Sequence, residues 1–104
     1  MVQLIYITCK DEGEAMNIAN KLVEKRLVAC ANVVPAINSV YWWKGKVERE
    51  NEALLLCKTT PSKIEGVIKR VKELHSYEVP CVVSYGSSDV SEEYRDWVYK
   101  EVGE

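Results

Sequence analysis

The spacing of apolar residues changes several times along the chain, and each change marks a new element. Residues 2–9 are apolar at odd and even positions alike, which predicts a strand in the middle of a sheet. Residues 28–43 and 47–59 form two long extended segments, and residues 81–85 form a shorter one. The Lys-Gly-Lys sequence at 44–46 lies between the long segments, so we expect them to pair as a hairpin.

Three other segments place apolar residues three and four positions apart, which is typical of amphipathic helices. Asp11 can cap the first helix, with Glu14 three residues on, as in a capping box. Thr60-Pro61 predicts the start of the second helix, because proline is tolerated in a first helical turn. The third helix begins at Ser91. The three predicted helices end near residues 26, 75 and 102. Their apolar faces consist, in chain order, of Ala15, Ile18, Ala19, Leu22 and Val23; of Ile64, Val67, Ile68, Val71 and Leu74; and of Tyr94, Trp97, Val98 and Val102.

The predicted element order is β-α-β-β-α-β followed by one more helix. This is the split βαβ, or ferredoxin-like, arrangement, in which two helices cover one face of a four-stranded antiparallel sheet. We therefore expect an α+β fold with a long central hairpin and an extra C-terminal helix, forming one domain over residues 1–104. Pro35 interrupts the first arm of the hairpin, and its missing N–H predicts an edge position or a bulge.

The hairpin is too long for the domain that carries it. Two arms of about 12 residues at about 3.3 Å per residue span roughly 40 Å, whereas a domain of this size is about 33 Å across. Near the turn, Tyr41 and Trp43 point to one side and Val40 and Trp42 to the other. One subunit covers only one side, so we expect another copy of the chain to cover the second. The alternative is that these aromatic residues belong to their own subunit's core.

The returning arm carries charges at both ends of an apolar middle. Glu50, Glu52 and Lys58 share one face with Leu54 and Leu56, because side chains in a strand alternate with a period of two. Lys58 is either a solvated strand end or a partner of Glu50 or Glu52 of a neighbouring subunit. The second arrangement would create a tryptophan-lined pocket where subunits meet.

Charge and composition narrow the classes of partner. Lys and Arg number 14 against 16 Asp and Glu, so the net charge is −2 and no positive field attracts nucleic acid or anionic membrane. No apolar run approaches the roughly 20 residues that span a bilayer. We expect a soluble, intracellular protein with no nucleic-acid or membrane partner. The cysteines lie far apart in apolar surroundings and are read as core residues rather than as a zinc site or disulfide framework; they are Cys9, Cys30, Cys57 and Cys81.

Several separated motifs occur in a fixed order over nearly the whole chain. They are Ala29-Cys30-Ala31-Asn32, Pro35, Ser39-Val40-Tyr41-Trp42-Trp43-Lys44-Gly45-Lys46, Glu52, Leu56-Cys57-Lys58-Thr59, His75-Ser76-Tyr77-Glu78-Val79-Pro80 and Tyr94-Arg95-Asp96-Trp97. Together these motifs resemble the CutA family of divalent-cation tolerance proteins. The resemblance implies a ferredoxin-like subunit, a homotrimer, a cytoplasmic location, an architecture similar to PII-type signalling proteins, and a link to tolerance of copper and other divalent metals.

His75 is the only histidine and the first candidate for metal binding or proton transfer. It falls at the end of the second predicted helix, where the dipole favours imidazolium over a metal, so a capping or hydrogen-bonding role is preferred. Cys9 and Cys81 would add soft ligands suited to copper if the fold brings them to His75. The resemblance implies copper binding through a cysteine, a histidine and a glutamate. Cys81 stands where many relatives have that glutamate, a change that favours Cu(I).

Two further functions stay open beside metal binding. A PII-like signalling module would bind a small molecule in clefts between subunits. An enzyme is disfavoured, because the chain has no glycine-rich phosphate cradle and the ferredoxin-like fold alone does not imply an activity. We expect a homotrimer that binds copper or another divalent metal without catalysis and needs no cofactor to fold. The residues expected in the inter-subunit cleft are Tyr41, Trp43, Glu50, Glu52, Lys58 and Tyr77.

Overall fold

Four strands and three helices make up the computed structural model, which describes all residues from 1 to 104. The sheet has the order β2-β3-β1-β4, and every neighbouring pair is antiparallel. This arrangement confirms the predicted α+β, ferredoxin-like fold with an extra C-terminal helix. The elements are β1 (Val2–Cys9), α1 (Glu12–Glu24), β2 (Cys30–Trp43), β3 (Lys46–Thr59), α2 (Ile64–Leu74), β4 (Val82–Ser87) and α3 (Glu92–Glu101).

The core lies between one face of the sheet and the helices α1 and α2. Alternate residues of β1 and β3 point into it, as the period of two predicts. Two of the four cysteines, Cys9 and Cys57, are buried there as expected, whereas Cys30 and Cys81 are only half-buried, and all four are free thiols. The fully buried core side chains include Ile5, Ile7, Ile18, Leu22, Leu55, Val67 and Val71.

The helix starts differ in part from those predicted. Asp11 does cap α1, because its Oδ1 accepts the backbone N–H of Glu14 at 2.8 Å. The Glu14 side chain does not return to Asp11; it accepts the backbone N–H of Lys10 at 3.0 Å. At the second helix, residues Pro61–Lys63 form a separate 3₁₀ turn, and the Thr60 side chain makes no cap bond. The second α-helix therefore begins three residues after Pro61.

The hairpin of β2 and β3 is paired from Cys30 opposite Lys58 to Trp43 opposite Lys46. Its turn has positive φ at both central residues, 50° and 80°, the backbone conformation of a two-residue turn that matches strand twist. The register shifts between Val34 and Ile37, around Pro35, and β2 is an edge strand. Pro35 thus lies both on an edge strand and at an irregularity of the register, the two positions that its missing N–H predicted. The molecule measures 44 × 26 × 22 Å, so it is markedly elongated.

Apolar side chains remain exposed on both sides of the hairpin tip and on the sheet. Trp42 is 74% exposed and Val40 on the same side is also open to solvent, while Trp43 on the other side is 37% exposed. On the sheet, Leu4 lies opposite Tyr85, on the face that points away from the core, and both are exposed. None of the helices combines the length and the apolar character needed to cross a bilayer.

Candidate functional site

Three elements bring Cys9, Glu14 and His75 together. Cys9 is the last residue of β1, Glu14 lies in the first turn of α1, and His75 follows α2 directly. One potential ligand atom from each side chain lies within 4.8 Å of the other two. Cys9 is fully buried, the His75 side chain is also fully buried, and the Glu14 side chain is 8% exposed. We call these residues the Cys-Glu-His cluster.

The imidazole of His75 is held by two backbone groups. Its Nε2 lies 2.8 Å from the carbonyl oxygen of Thr8, which can only accept, so Nε2 carries the proton. Its Nδ1 accepts the backbone N–H of Tyr77 at 3.0 Å. Nδ1 also lies 3.8 Å from Oε1 of Glu14. These contacts define a neutral tautomer with its lone pair at Nδ1, and they give His75 the hydrogen-bonding role that its sequence position favoured.

Glu14 is held as a carboxylate by backbone donors. Oε1 accepts the N–H of Lys10 and Oε2 accepts the N–H of Ser76, each at 3.0 Å. Burial acts to raise the pKa of Glu14, but the hydrogen bonds from Lys10 and Ser76 outweigh it and lower the pKa below its usual value. Glu14 therefore supplies negative charge beside the imidazole at neutral pH.

The thiol of Cys9 stays protonated at neutral pH. Burial in the core, together with the carboxylates of Glu14, Glu52 and Asp11, raises the pKa of Cys9 to about 12. A thiolate is the form that binds metals, so a cation that enters the cluster must displace this proton.

Cys81 does not join the cluster, although the sequence grouped it with Cys9 and His75. The neighbouring Val82 lies opposite Ile7 in the register of β4 and β1 and packs on the core. Cys81 lines a cleft outside the core instead. Sequence reasoning did not place Glu14 in this cluster and read it only as a capping residue. The available signal was its position in the first turn after the strand that ends at Cys9.

The cleft has a volume of about 1000 Å³ and lies against the base of the hairpin. Four glutamates line it and no lysine or arginine does. The hydroxyl of Tyr77 donates to Oε2 of Glu52 at 2.7 Å, and Glu52 is only 6% exposed. Burial and this carboxylate raise the pKa of Tyr77. We call this the acidic cleft; its lining includes Tyr41, Trp43, Glu48, Glu50, Glu52, Tyr77, Glu78 and Cys81.

Five of the six residues expected in a cleft between subunits line this one, and Lys58 does not. Lys58 lies on β3 opposite Cys30 and Leu4, toward the end of the hairpin that is remote from the turn. Its ammonium group donates to Oδ1 of Asn32. Within one subunit, therefore, Lys58 has a hydrogen-bond partner away from the cleft.

Comparison with known proteins decides the family. A family model described as "CutA1 divalent ion tolerance protein" matches residues 3–101. This chain belongs to the CutA1 family. Members of the family are named for tolerance of divalent cations, which supports a role in metal tolerance.

Relatives of this CutA1 chain come from bacteria, archaea and eukaryotes. The divalent-cation tolerance protein CutA of Thermus thermophilus is 42% identical over 103 residues, 99% of this chain and 100% of the relative. The solved structure of that protein matches with a TM-score of 0.95 over 99% of this chain and 100% of its own. The CutA structure from Archaeoglobus fulgidus is 38% identical, with a TM-score of 0.94 over 98% and 99% of the two chains. The Xenopus laevis CutA homolog is 43% identical over 93 residues, and the match covers 89% of this chain but only 62% of that protein.

Proposed function

We propose that this protein is a homotrimer that supports metal tolerance by binding a divalent cation in the Cys-Glu-His cluster, without catalysing a reaction. The observation that carries the proposal is the convergence of a sulfur, an oxygen and a nitrogen donor from three separate elements within 4.8 Å. Sulfur and imidazole ligands suit copper and zinc better than magnesium or calcium. Copper is therefore the first metal to test.

The surroundings of His75 fit a metal ligand. Metal-binding histidines usually donate their second ring N–H to a backbone carbonyl or a carboxylate, which orients the other nitrogen toward the ion. Nε2 of His75 makes such a bond to Thr8, and Nδ1 faces Glu14. A bound cation would be held by Nδ1, the Glu14 carboxylate and the Cys9 sulfur. Because the thiol proton must leave and a hydrogen bond to Nδ1 must break, we expect weak binding at neutral pH.

The decisive test is calorimetric titration of the protein with Cu(I), Cu(II) and Zn(II) without oxygen. Cys9→Ser is expected to weaken binding at least tenfold, because it removes the sulfur ligand. Cys57→Ser is the matched control, since Cys57 is equally buried and belongs to no such cluster. Cys81→Ser is expected to behave like wild type. Absence of saturable binding, or a loss caused by Cys81→Ser and not by Cys9→Ser, would refute the proposed site.

The trimer is supported by apolar surface that one chain leaves open. The exposed face of the sheet carries Leu4 and Tyr85, and the hairpin tip carries Trp42. Exposed apolar patches of this kind are typical of interfaces between proteins. Three copies are proposed from the resemblance to the family. Static light scattering at micromolar concentration, with and without copper, would give both the number of subunits and the response to metal.

We also place the protein in the cytoplasm, because four free cysteines suit a reducing compartment. The Archaeoglobus fulgidus relative is named periplasmic and the Arabidopsis thaliana relative chloroplastic. Fractionation of cells with an antibody against the native protein is the direct measurement. Recovery of the protein in an oxidising compartment would overturn this assignment.

The acidic cleft favours one alternative, a PII-like module that binds a small molecule between subunits. Its volume of about 1000 Å³ is large enough for such a ligand. Its four glutamates and lack of basic residues disfavour a nucleotide as the ligand of a single subunit. Calorimetric titration with nucleotides, run beside the metal titrations, separates the two functions.

A further inference from the structure

Two consecutive backbone amides occupy the side of the Cys-Glu-His cluster that a cation would use. The N–H of Ser76 donates to Oε2 of Glu14 and the N–H of Tyr77 donates to Nδ1 of His75, both at 3.0 Å. Each carboxylate oxygen has a further lone pair that can bind a second partner, but Nδ1 of the neutral imidazole has a single lone pair. A cation at Nδ1 and the amide of Tyr77 therefore exclude each other.

Tyr77 connects this cluster to the acidic cleft. Its ring lies 4.7 Å from the His75 ring, centroid to centroid, at an interplanar angle of 51°. Its hydroxyl donates to Glu52 at 2.7 Å inside the cleft. The backbone N–H that contacts His75 and the hydroxyl that contacts Glu52 belong to the same residue. A displacement of the Tyr77 backbone therefore disturbs both hydrogen bonds.

We infer that residues 76–77 form a latch, in which a cation at Cys9, Glu14 and His75 competes with the docked position of Tyr77 and so releases its hydroxyl from Glu52. The inference rests on the proposed metal site and adds the regulation of that site. Occupancy of the cluster then alters the acidic cleft, which lies on the other side of Tyr77 and contains Trp43 of the hairpin.

The coupling works in both directions. If bound metal weakens the contact of Tyr77 with Glu52, that contact weakens metal binding by the same factor, because linked equilibria are reciprocal. Anything that holds Tyr77 in the cleft, including a neighbouring subunit packed against it, keeps metal affinity low. Removing the hydroxyl bond should therefore tighten metal binding, by about tenfold for a hydrogen bond to a carboxylate.

The first measurement is Zn(II) affinity, determined by competition with a chelator, in wild type and two variants. Tyr77→Phe removes the hydroxyl and keeps the ring, and Glu52→Gln removes the charge of its acceptor. Both are expected to bind Zn(II) more tightly than wild type: Tyr77→Phe by about tenfold, and Glu52→Gln by less, because the glutamine amide oxygen still accepts the hydroxyl. Tyr99→Phe is the matched control, since it also removes a hydroxyl that donates a hydrogen bond, here to the carbonyl oxygen of Met1, and it lies outside the acidic cleft. It should leave the affinity unchanged.

The second measurement is hydrogen exchange of the Tyr77 amide, followed by NMR while Zn(II) is added to wild type. Zn(II) is chosen because it is diamagnetic. Exchange is expected to accelerate as the cluster fills. If wild type binds Zn(II) but both variants keep the wild-type affinity, or the Tyr77 amide stays protected at saturation, the latch is wrong and the metal site stands. If wild type binds no metal, or binding survives Cys9→Ser, the proposed function fails and the latch fails with it.

Discussion

Nε2 of His75 donates to the carbonyl oxygen of Thr8 across 2.8 Å and so joins the end of α2 to the end of β1. The bond directs Nδ1 toward Glu14, and Cys9 is the next residue after Thr8. The backbone of a core strand therefore orients the histidine. Because Thr8 lies opposite Leu54 in the pairing of β1 with β3, the position of this carbonyl is well determined.

Metal affinity should rise steeply with pH. The pKa of Cys9 is raised to about 12, so below that pH each bound cation displaces a thiol proton. Because one thiol proton is released for each cation bound, we expect metal affinity to increase about tenfold per pH unit between pH 7.5 and 9. Calorimetry in buffers of different ionisation enthalpy would count the released protons. Cys9→Ser should reduce that count by about one, whereas an equal count in both proteins would contradict the role of the thiol.

Stability should fall at alkaline pH because two core thiols are held protonated. Burial raises the pKa of Cys9 and of Cys57 from 9.0 to about 12 in each case. The folded pKa is the higher one, so the stabilisation is present below about pH 9 and is lost as pH rises toward 12. Three pKa units correspond to at most about 4 kcal/mol per thiol.

The measurement for this effect is the urea midpoint between pH 8 and 11, at a fixed protein concentration. Cys57→Ala removes one buried thiol, and we expect a shallower loss of stability with pH than in wild type. Cys81→Ala serves as the control, because Cys81 lies outside the core. If the urea midpoint of Cys57→Ala falls with pH as steeply as that of wild type, the buried thiol does not cause the loss of stability at alkaline pH.

Loss of the α1 cap should destabilise the protein modestly. Oδ1 of Asp11 accepts the N–H of Glu14, so Asp11→Ala leaves that donor without its partner. We expect a cost of about 1 kcal/mol in the free energy of unfolding. Asp11→Asn keeps an acceptor in the same place and should stay near wild type. Equal losses for both variants would point to the charge of Asp11 rather than to its hydrogen bond.

A charge on the exposed sheet face should break assembly. Leu4→Glu places a carboxylate among the apolar side chains beside Tyr85, where a covering subunit could not hydrate it. Sedimentation velocity is expected to show dissociation of this variant. Met16→Glu is the control, because Met16 is similarly exposed but lies on α1. The proposed interface is wrong if Leu4→Glu assembles as wild type does.

The sequence by itself determined the order of the elements and the faces of the long strands. Alternation along β3 put Leu54 and Leu56 on the face that carries the charges. It therefore left Ala53, Leu55 and Cys57 to the opposite face, and all three are buried. Pro35 was correctly placed at an edge or bulge, since the missing N–H acts locally whatever the rest of the chain does. These features depend on neighbours in the chain, and for that reason they could be read without the fold.

Only the tertiary structure decided which side chains meet. His75 and Cys9 are 66 residues apart in the sequence, and they meet because α2 ends beside the end of β1. The spacing of residues in the sequence does not predict this contact. Cys81 was grouped with them from its chemistry, but Val82 packs on the core and Cys81 faces the acidic cleft. A shift of one residue in strand register reverses which side chain points inward. Register is set by pairing between distant strands, so ligand groups that depend on it are not visible in the chain alone.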